Sequence, residues 1–196
     1  MESAIEFYTN KLKSFCPELT EGDLSFISSR LSIIELNNKD LYFSAGQIQK
    51  EVGFIIKGII RSFYLDMNGN EKTVRFFSAN EYVTHYSAFL TQQPSRYYFQ
   101  CLEATILVSL THEVMNSAYR QSSGFERYGR LVAEEILKMQ QTRIESFLFL
   151  SAEQRYQQFI IDQPDLFNRV AVSHLCSYLG IERQSLTRIR KKLTQK

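Results

Sequence analysis

Long hydrophobic runs are missing from this 196-residue sequence, and that shortage excludes membrane-spanning classes of protein. No apolar stretch approaches the roughly 18 residues that a transmembrane helix needs. The first eight residues lack both the basic start and the apolar stretch of a signal peptide. We therefore expect a cytoplasmic protein with no membrane partner.

Cysteine and histidine are also scarce, with three of each spread widely along the chain. Disulfide frameworks, zinc sites and iron–sulfur clusters need more thiolates at closer spacing. Metal-binding barrels need several clustered histidines, and we find no Gly-rich phosphate loop, nucleophile elbow or Cys/His pair. We expect three reduced, apolar cysteines, no metal or other cofactor, and no enzyme activity. The residues concerned are Cys16, Cys101, Cys176, His85, His112 and His174.

Positive charge is concentrated at one end of the chain. From Ile181 to Lys196 there are six basic residues and one acid, a net charge of +5. Because the whole chain carries only +2, the preceding 180 residues carry −3. An acidic body with a basic tip is typical of proteins that meet nucleic-acid phosphate with one end, although a solvated basic tail would have the same composition.

The pattern along the chain changes from helix to strand to helix. Residues 1–30 look helical, with a restart at Thr20, where the spacing to Asp23 resembles a capping box. From about Ile33 to Leu110 short strands alternate with glycines, and residues 105–110 show the period of two of a half-buried strand. Asn68-Gly69 predicts a tight hairpin turn. Short strands at this spacing predict a β-sandwich or a β-roll barrel.

Beyond Thr111 the chain is predicted to be helical. The long helix should end near Leu150, a new helix should begin at the capping-box spacing Ser151–Gln154, and Pro164 should end that one. One apolar stripe recurs along the long helix at three- and four-residue steps. Spacing alone leaves open whether this stripe packs on its own domain or against a partner helix. Its members are Phe125, Tyr128, Val132, Ile136 and Met139.

The segment Val172–Leu193 has the register of a helix-turn-helix. Cys176 supplies the small residue that a close helix crossing needs, and Gly180 supplies a turn residue that tolerates positive φ. Apolar positions between the two helices would form the core: Leu175, Leu179, Ile181, Leu186 and Ile189. A helix hairpin that packs only on itself is the alternative, but the fixed register makes a DNA-binding motif the stronger interpretation.

The same register places polar residues on the outer faces of the second helix, 183–193. Arginine can make two hydrogen bonds to guanine and glutamine can do so to adenine in the major groove. We predict that base edges are read by Arg183, Gln184, Ser185 and Arg188. We predict phosphate contacts for Thr187, Arg190, Lys191 and Lys192, with Lys196 a further phosphate or solvent residue.

Two separate stretches resemble the Crp/Fnr family of bacterial regulators. Residues 41–46, 52–58 and 68–74 look like the opening strands and hairpin of a cyclic-nucleotide-binding β-roll. Arg183-Gln184-Ser185 followed by Arg188 resembles the family's Arg-Glu-Thr/Ser-x-x-Arg signature. Residues 151–156 and 177–181, with Pro164, resemble the Bacteroidetes branch in particular.

This resemblance implies an α+β chain in three parts. Residues 1–111 would form an antiparallel, jelly-roll-like β-roll sensor, 112–150 a helical connector with the dimerisation helix, and 151–196 a helix-turn-helix domain. It favours a parallel helix pair through the stripe Phe125–Met139, hence a homodimer. Such a dimer would present two recognition helices about 34 Å apart to a palindromic double-stranded DNA site. RNA polymerase and a small-molecule effector are the further partners it implies.

The chain departs from the family in its effector pocket. The family's phosphate-binding cassette carries a second glycine and a ribose-binding glutamate, where this chain has Thr84 and His85. Arg96 lies one residue beyond the position of the family's phosphate-binding arginine, and the bulky Tyr97 follows. Losing hydrogen bonds to charged groups costs roughly 1.5–3 kcal/mol each. We therefore expect an effector other than cyclic AMP, with Thr84, His85, Arg96 and Tyr97 as the candidate pocket.

Two functions from different classes remain to be compared. The first is a sequence-specific, dimeric transcription regulator that reads DNA with helix 183–193. The second is a ligand-binding sensor or interaction module without specific DNA binding. The intact register of the terminal motif favours the first.

Overall fold

The computed structural model describes residues 3–194, and two short helices open it. Helix α1 spans Ala4–Phe15 and α2 spans Glu21–Ser28. Each begins with a capping box, in which the side chain of an N-cap residue and that of a residue three positions later satisfy two backbone amides. Ser3 and Glu6 form the first box, and Thr20 and Asp23 form the second. The predicted helix restart at Thr20 is therefore confirmed.

Eight strands and one short helix follow, and the strands form two four-stranded sheets. One sheet has the order β1-β8-β3-β6 and the other β2-β7-β4-β5. The β-roll, one of the two folds that the strand spacing predicts, is confirmed, as is the α+β, jelly-roll-like architecture that the family resemblance implies. The elements are β1 (Ser32–Leu36), β2 (Leu41–Phe43), β3 (Glu51–Lys57), β4 (Ile60–Leu65), β5 (Glu71–Phe77), β6 (Tyr82–Val83), α3 (Tyr86–Thr91), β7 (Tyr98–Cys101) and β8 (Thr105–Thr111).

Both faces of the central strands are buried. Phe54 on β3 lies opposite Val108 on β8, and both pack with α1. Their neighbours Ile55 and Leu107 belong to a second apolar cluster on the other face. The prediction that β8 is only half-buried is therefore wrong, because helices cover one face and the second sheet covers the other.

The hairpin between β4 and β5 exists, but its turn differs from the predicted one. Residues 66–70 form a five-residue loop, and of the Asn68-Gly69 pair only Gly69 has a positive φ, +77°. Asp66 organises the loop, since its Oδ1 accepts hydrogen bonds from the backbone amides of Asn68 and Asn70, both at 2.9 Å. A carboxylate at the first position of a turn can accept hydrogen bonds from amides further along the chain. Here this stabilises a longer loop in place of the predicted two-residue turn.

Six helices complete the chain. The long helix ends at Phe149, and Ser151 caps the next helix through a capping box with Gln154, so both predicted boundaries are confirmed. The helix that begins at Ser151 ends just before Pro164, also as predicted. The helices are α4 (His112–Gln121), α5 (Ser123–Phe149), α6 (Ala152–Asp162), α7 (Pro164–Phe167), α8 (Val172–Leu179) and α9 (Arg183–Thr194).

The chain forms two compact units. One contains the described residues up to Ser62 together with Phe76–Ile136. The other contains Phe63–Arg75 together with the described residues from Leu137 onward. The three-part division 1–111, 112–150 and 151–196 stays a prediction. All three cysteines are buried and unbridged, as expected. Over residues 3–194, no helix has the length and apolar character needed to cross a membrane.

Candidate nucleic-acid interface and effector pocket

A three-residue turn joins α8 to α9, and Gly180 is required there for two reasons. Its φ is +66°, a left-handed conformation that closes α8 while the amide of Ile181 donates to the carbonyl of Cys176 at 3.0 Å. A Cβ atom at position 180 would lie 2.9 Å from the ring of Phe147. The predicted turn glycine is confirmed, and the contact with Phe147 adds a second constraint.

The inner faces of α8 and α9 form the predicted core. Four of the five predicted core residues are buried, and Ile181 in the turn is half-buried. Cys176 is buried as well, as a small residue at a helix contact should be. The four buried residues are Leu175, Leu179, Leu186 and Ile189.

The outer face of α9 carries the predicted base-reading residues. Arg183, Gln184 and Arg188 are exposed, and Ser185 is half-buried. Thr187 and Lys191 are also exposed, although the Thr187 hydroxyl donates to the carbonyl of Arg183 at 3.0 Å. Leu186 and Ile189 turn inward, so this helix presents one apolar and one hydrogen-bonding face.

Two of the predicted phosphate residues have partners within their own unit. Arg190 is half-buried, its Nε donates to the Tyr156 hydroxyl at 3.0 Å, and its guanidinium lies 5.3 Å from the Phe167 ring centroid. These aromatic contacts turn Arg190 toward α6 and α7, and its phosphate contact stays a prediction. Lys192 pairs with Glu153 at 2.6 Å, but both side chains are accessible enough for a phosphate to compete. Lys196 lies outside the described residues.

Two arginines, which sequence reasoning missed, hold the end of α8. The Arg143 guanidinium lies 3.7 Å from the Tyr178 ring centroid and 4.4 Å from that of Phe147, and it donates to the Tyr178 carbonyl. Arg155 donates to the carbonyl of Leu179 at 3.1 Å. Carbonyls at a helix C-terminus lack helical partners, so these cations satisfy them and fix the position of the turn.

The hairpin loop region contacts α8 through one serine. The Ser177 hydroxyl accepts a hydrogen bond from the Thr73 amide at 2.8 Å and donates to the Glu71 carbonyl at 3.2 Å. These atoms all belong to the unit that contains α8 and α9. Ser177 therefore anchors β5 to the first helix of the pair.

Most of the apolar stripe predicted for dimerisation lies against its own chain, whereas Met139 is 40% exposed, and pairing through this stripe stays a prediction. Phe125 is buried among α1 and α2 residues, and the Tyr128 hydroxyl bonds to that of Tyr82 at 2.5 Å. Val132 and Ile136 line an internal cavity. Met139 lies with its sulfur 3.4 Å from an Nη of Arg75. Phe125 and Tyr128 pack inward because the β-roll and the N-terminal helices supply apolar partners that periodicity cannot identify.

A different face of α5 is apolar and exposed. Leu137, Ile144 and Leu148 are 66%, 60% and 69% exposed. Their spacing of seven and then four residues places them on one line along the helix. At 100° per residue this line lies on the side of α5 opposite the inward-facing stripe.

Three of the four predicted effector residues lie together in the β-roll. Buried Gln49 accepts hydrogen bonds from the His85 amide at 3.0 Å and from the Thr84 hydroxyl at 3.2 Å. The His85 Nδ1 lies 2.9 Å from the Ser95 hydroxyl, and its ring is 4.6 Å from that of Tyr97. Sequence reasoning missed Gln49 and Ser95, since neither has a charge or a motif to mark it.

Arg96 does not share this arrangement. It is exposed, and the hydrogen bonds of the Gln49–His85–Ser95 group do not include it. Burial lowers the pKa of His85, which keeps the imidazole neutral at pH 7. A cyclic phosphate would thus meet polar but uncharged side chains already bonded to one another. Within residues 3–194, no group of three or more His, Cys, Asp or Glu side chains is placed to hold a metal ion.

The chain folds as a β-roll, followed along the sequence by a long helix and a terminal helix pair. Residues 33–122 match the family model of the cyclic nucleotide-binding domain. A comparison with curated protein sequences finds no significant match.

Solved structures of Crp/Fnr-type regulators share the fold. The c-di-GMP-responsive global regulator CLP of Xanthomonas campestris is 15% identical with a TM-score of 0.70, covering 90% of this chain and 92% of its own. FixK2 of Bradyrhizobium japonicum is 15% identical with a TM-score of 0.68, covering 84% and 85%. The catabolite activator protein of Thermus thermophilus is 14% identical with a TM-score of 0.57, covering 92% and 86%. At this identity the likeness is one of fold.

Proposed function

We propose that this protein is a dimeric, sequence-specific DNA-binding transcription regulator of the Crp/Fnr type. The observation that carries the proposal is the two-faced α9, with Leu186 and Ile189 buried and Arg183, Gln184 and Arg188 exposed. A helix held by one face against a fixed partner can enter the major groove with the other. The anchored end of α8 supports this role, since base reading needs a rigidly positioned helix.

Base edges are read by Arg183, Gln184, Ser185 and Arg188, and phosphates are contacted by Thr187, Lys191 and Lys192. Gln184 stands where the resembling family has glutamate, so the preference at that base pair shifts from cytosine toward adenine. Two copies pair along α5, reading a palindrome with half-sites about one helical turn apart. The effector is a small molecule other than cyclic AMP, and RNA polymerase is a further partner of the bound dimer.

Arg188→Ala should weaken binding to the preferred site by about 1–3 kcal/mol more than it weakens binding to random DNA, because it removes a base contact. Selection of binding sites from random DNA would supply the site, and fluorescence anisotropy at several salt concentrations would measure affinity. Lys191→Ala is the matched control: a phosphate contact contributes equally on every sequence and adds about one unit to the salt slope.

Equal losses for Arg188→Ala on both DNAs would refute the base-reading role. A failure of selection to enrich any sequence would favour the alternative, a ligand-binding sensor or interaction module without specific DNA binding. A palindrome among the enriched sequences would support the dimer.

A further inference from the structure

A cavity of about 60 Å³ lies within the β-roll unit, on the side of the first sheet that α1 covers. Side chains from α1, α3, α4 and α5 and from strands β3, β6 and β8 line it. Most of the wall is apolar, including Leu12, Val52, Phe89, Met115, Val132 and Ile136. Of the four residues predicted for the effector pocket, Thr84 lines this cavity and His85, Arg96 and Tyr97 do not, so the cavity borders the predicted pocket at Thr84.

Its size suits a small organic molecule. A water molecule needs about 10–15 Å³, so 60 Å³ has room for about four to six atoms of that size. Each water molecule held there would need two to four polar partners, which a largely apolar wall supplies at few positions. A guest of about four to six non-hydrogen atoms would restore the packing contacts that the empty space forgoes.

Three hydrogen-bonded tyrosines form a polar feature of the wall, which also includes Thr84, Tyr86 and Tyr119. The hydroxyl of Tyr82 lies 2.7 Å from that of Tyr8 and 2.5 Å from that of Tyr128, and all three residues line the wall. Burial raises the pKa of each, so all three remain neutral phenols.

Counting protons shows that this chain of hydroxyls has a donor to spare. Each phenol carries one O–H proton, and three phenols joined by two hydrogen bonds use only two. In the part of the chain that the structure describes, no further acceptor is bonded to these hydroxyls. Whatever the directions of the two bonds, one O–H, on Tyr8, Tyr82 or Tyr128, has no acceptor, and a buried donor without an acceptor is unfavourable.

Helix α5, which forms one wall of the cavity, lies close to α4 at the cavity's edge. A Cβ atom at Gly129 would lie 2.5 Å from the Tyr119 hydroxyl, so only glycine lets this tyrosine of α4 lie against α5 at the cavity's edge. The same helix contributes Tyr128, Val132 and Ile136. One hydrogen-bonding side chain and two apolar ones thus stand on consecutive turns of a single helix.

We infer that this cavity is a binding site for a small, largely apolar molecule that carries one hydrogen-bond acceptor, such as a carbonyl oxygen. The apolar wall takes the carbon skeleton, and the spare phenol O–H of the tyrosine trio donates to the acceptor. That such a ligand is the regulator's effector rests on the proposed function, but its binding does not. The test is therefore made on the full chain without DNA.

Cyclopentanone and cyclopentene form a matched pair of probes, one with a carbonyl and one without. Chemical shifts of 13C-labelled methyl groups of Ile27, Met115, Val132 and Ile136 would be followed during titration of each probe. We expect saturable shifts at millimolar concentrations and a dissociation constant at least about fivefold lower for the ketone, equivalent to about 1 kcal/mol at 1.4 kcal/mol per tenfold change. Absence of saturable shifts with both probes would overturn the inference.

Variants locate the site and the donor. Val132→Phe fills the cavity and should abolish the shifts. Ile161→Phe, at an exposed position of α6, should leave them unchanged. Circular dichroism would verify folding, and Ile136→Phe replaces Val132→Phe if that variant unfolds.

Tyr8→Phe, Tyr82→Phe and Tyr128→Phe test the three hydroxyls one at a time. The variant that lacks the donating hydroxyl should lose the ketone's advantage over cyclopentene while leaving cyclopentene binding unchanged. Persistent ketone binding in the filled variant would refute the cavity as the site. Equal affinity for both probes in the unmodified protein would refute the role of the phenol donor. Neither result would depend on whether the protein binds DNA.

Discussion

His85 is half-buried between Ser95 and Tyr97, and this burial lowers its pKa. In the unfolded chain the imidazole titrates near the ordinary value of 6.5. Between that value and the lower folded pKa, the unfolded chain binds more protons than the folded one. Linkage then requires that stability is fully present above pH 6.5 and is lost as the pH falls below it.

His85→Gln should reduce this acid sensitivity, because an amide does not titrate. The free energy of unfolding, measured with urea at pH 7.5 and pH 5.5, should fall less over this interval in the variant than in the unmodified protein. His174→Gln removes a histidine from α8 and serves as the control. An unchanged pH dependence in His85→Gln would show that other groups cause the acid loss.

The hydrogen bonds among Tyr8, Tyr82 and Tyr128 could not be predicted from the sequence. Tyr8 and Tyr82 are 74 positions apart, and Tyr82 and Tyr128 are 46 apart. Neither a charge nor a spacing connects them, because their contact depends on how α1, β6 and α5 pack. The four predicted effector residues had a resemblance to locate them, and even there Arg96 lies outside the hydrogen-bonded group.

At the scale of helices and strands, boundaries were predictable where local chemistry decides them. The capping boxes at Thr20 and Ser151 and the turn at Gly180 need only residues within a few positions. The neighbours of the α5 stripe could not be predicted, for the opposite reason. Period 3.6 identifies an apolar face, but the neighbour that covers this face is set by distant parts of the chain.

The contact between β5 and α8 depends on Ser177. Replacing it with alanine removes an acceptor from the Thr73 amide and a donor from the Glu71 carbonyl. We expect a loss of about 1 kcal/mol in local stability, so that the Thr73 amide exchanges with solvent about fivefold faster. Hydrogen exchange followed by NMR would measure this.

Ser173→Ala on the same helix is the matched control, since Ser173 is exposed. It should leave Thr73 exchange unchanged. If both variants accelerate exchange equally, helix propensity rather than the Ser177 contact explains the effect.

For the whole molecule, the decisive property is self-association. Leu137, Ile144 and Leu148 expose a line of large aliphatic side chains on α5. Ile144→Asp should disrupt pairing through this line, because a carboxylate buried at a helix interface is not compensated there. Light scattering after size-exclusion chromatography should report a dimer for the unmodified chain and mainly monomer for the variant.

Ile161→Asp is the control for this change, because Ile161 is 73% exposed on α6 and lies outside the α5 line. It should remain dimeric. A dimer that survives Ile144→Asp would place the interface elsewhere, and a monomeric unmodified chain would remove dimerisation from the proposed function.

The overall α+β architecture was predictable, since strand spacing and glycine punctuation define a β-roll and capping residues define the helices. The packing of the sheet that contains β8 was not predictable. Alternation in β8 predicted one solvent-exposed face, yet Thr105 and Ser109 are buried, and their hydroxyls donate to the Glu103 carbonyl at 3.0 Å and to Glu51 at 2.6 Å. A buried hydroxyl with a partner is indistinguishable in sequence from an exposed one.

The turn glycine has an evolutionary consequence. Position 180 is limited both by its left-handed backbone and by the nearby ring of Phe147. Asparagine tolerates the backbone conformation, but its side chain would collide with that ring. Related sequences should therefore replace Gly180 only when position 147 becomes smaller, so the two positions should co-vary although 33 positions separate them in the chain.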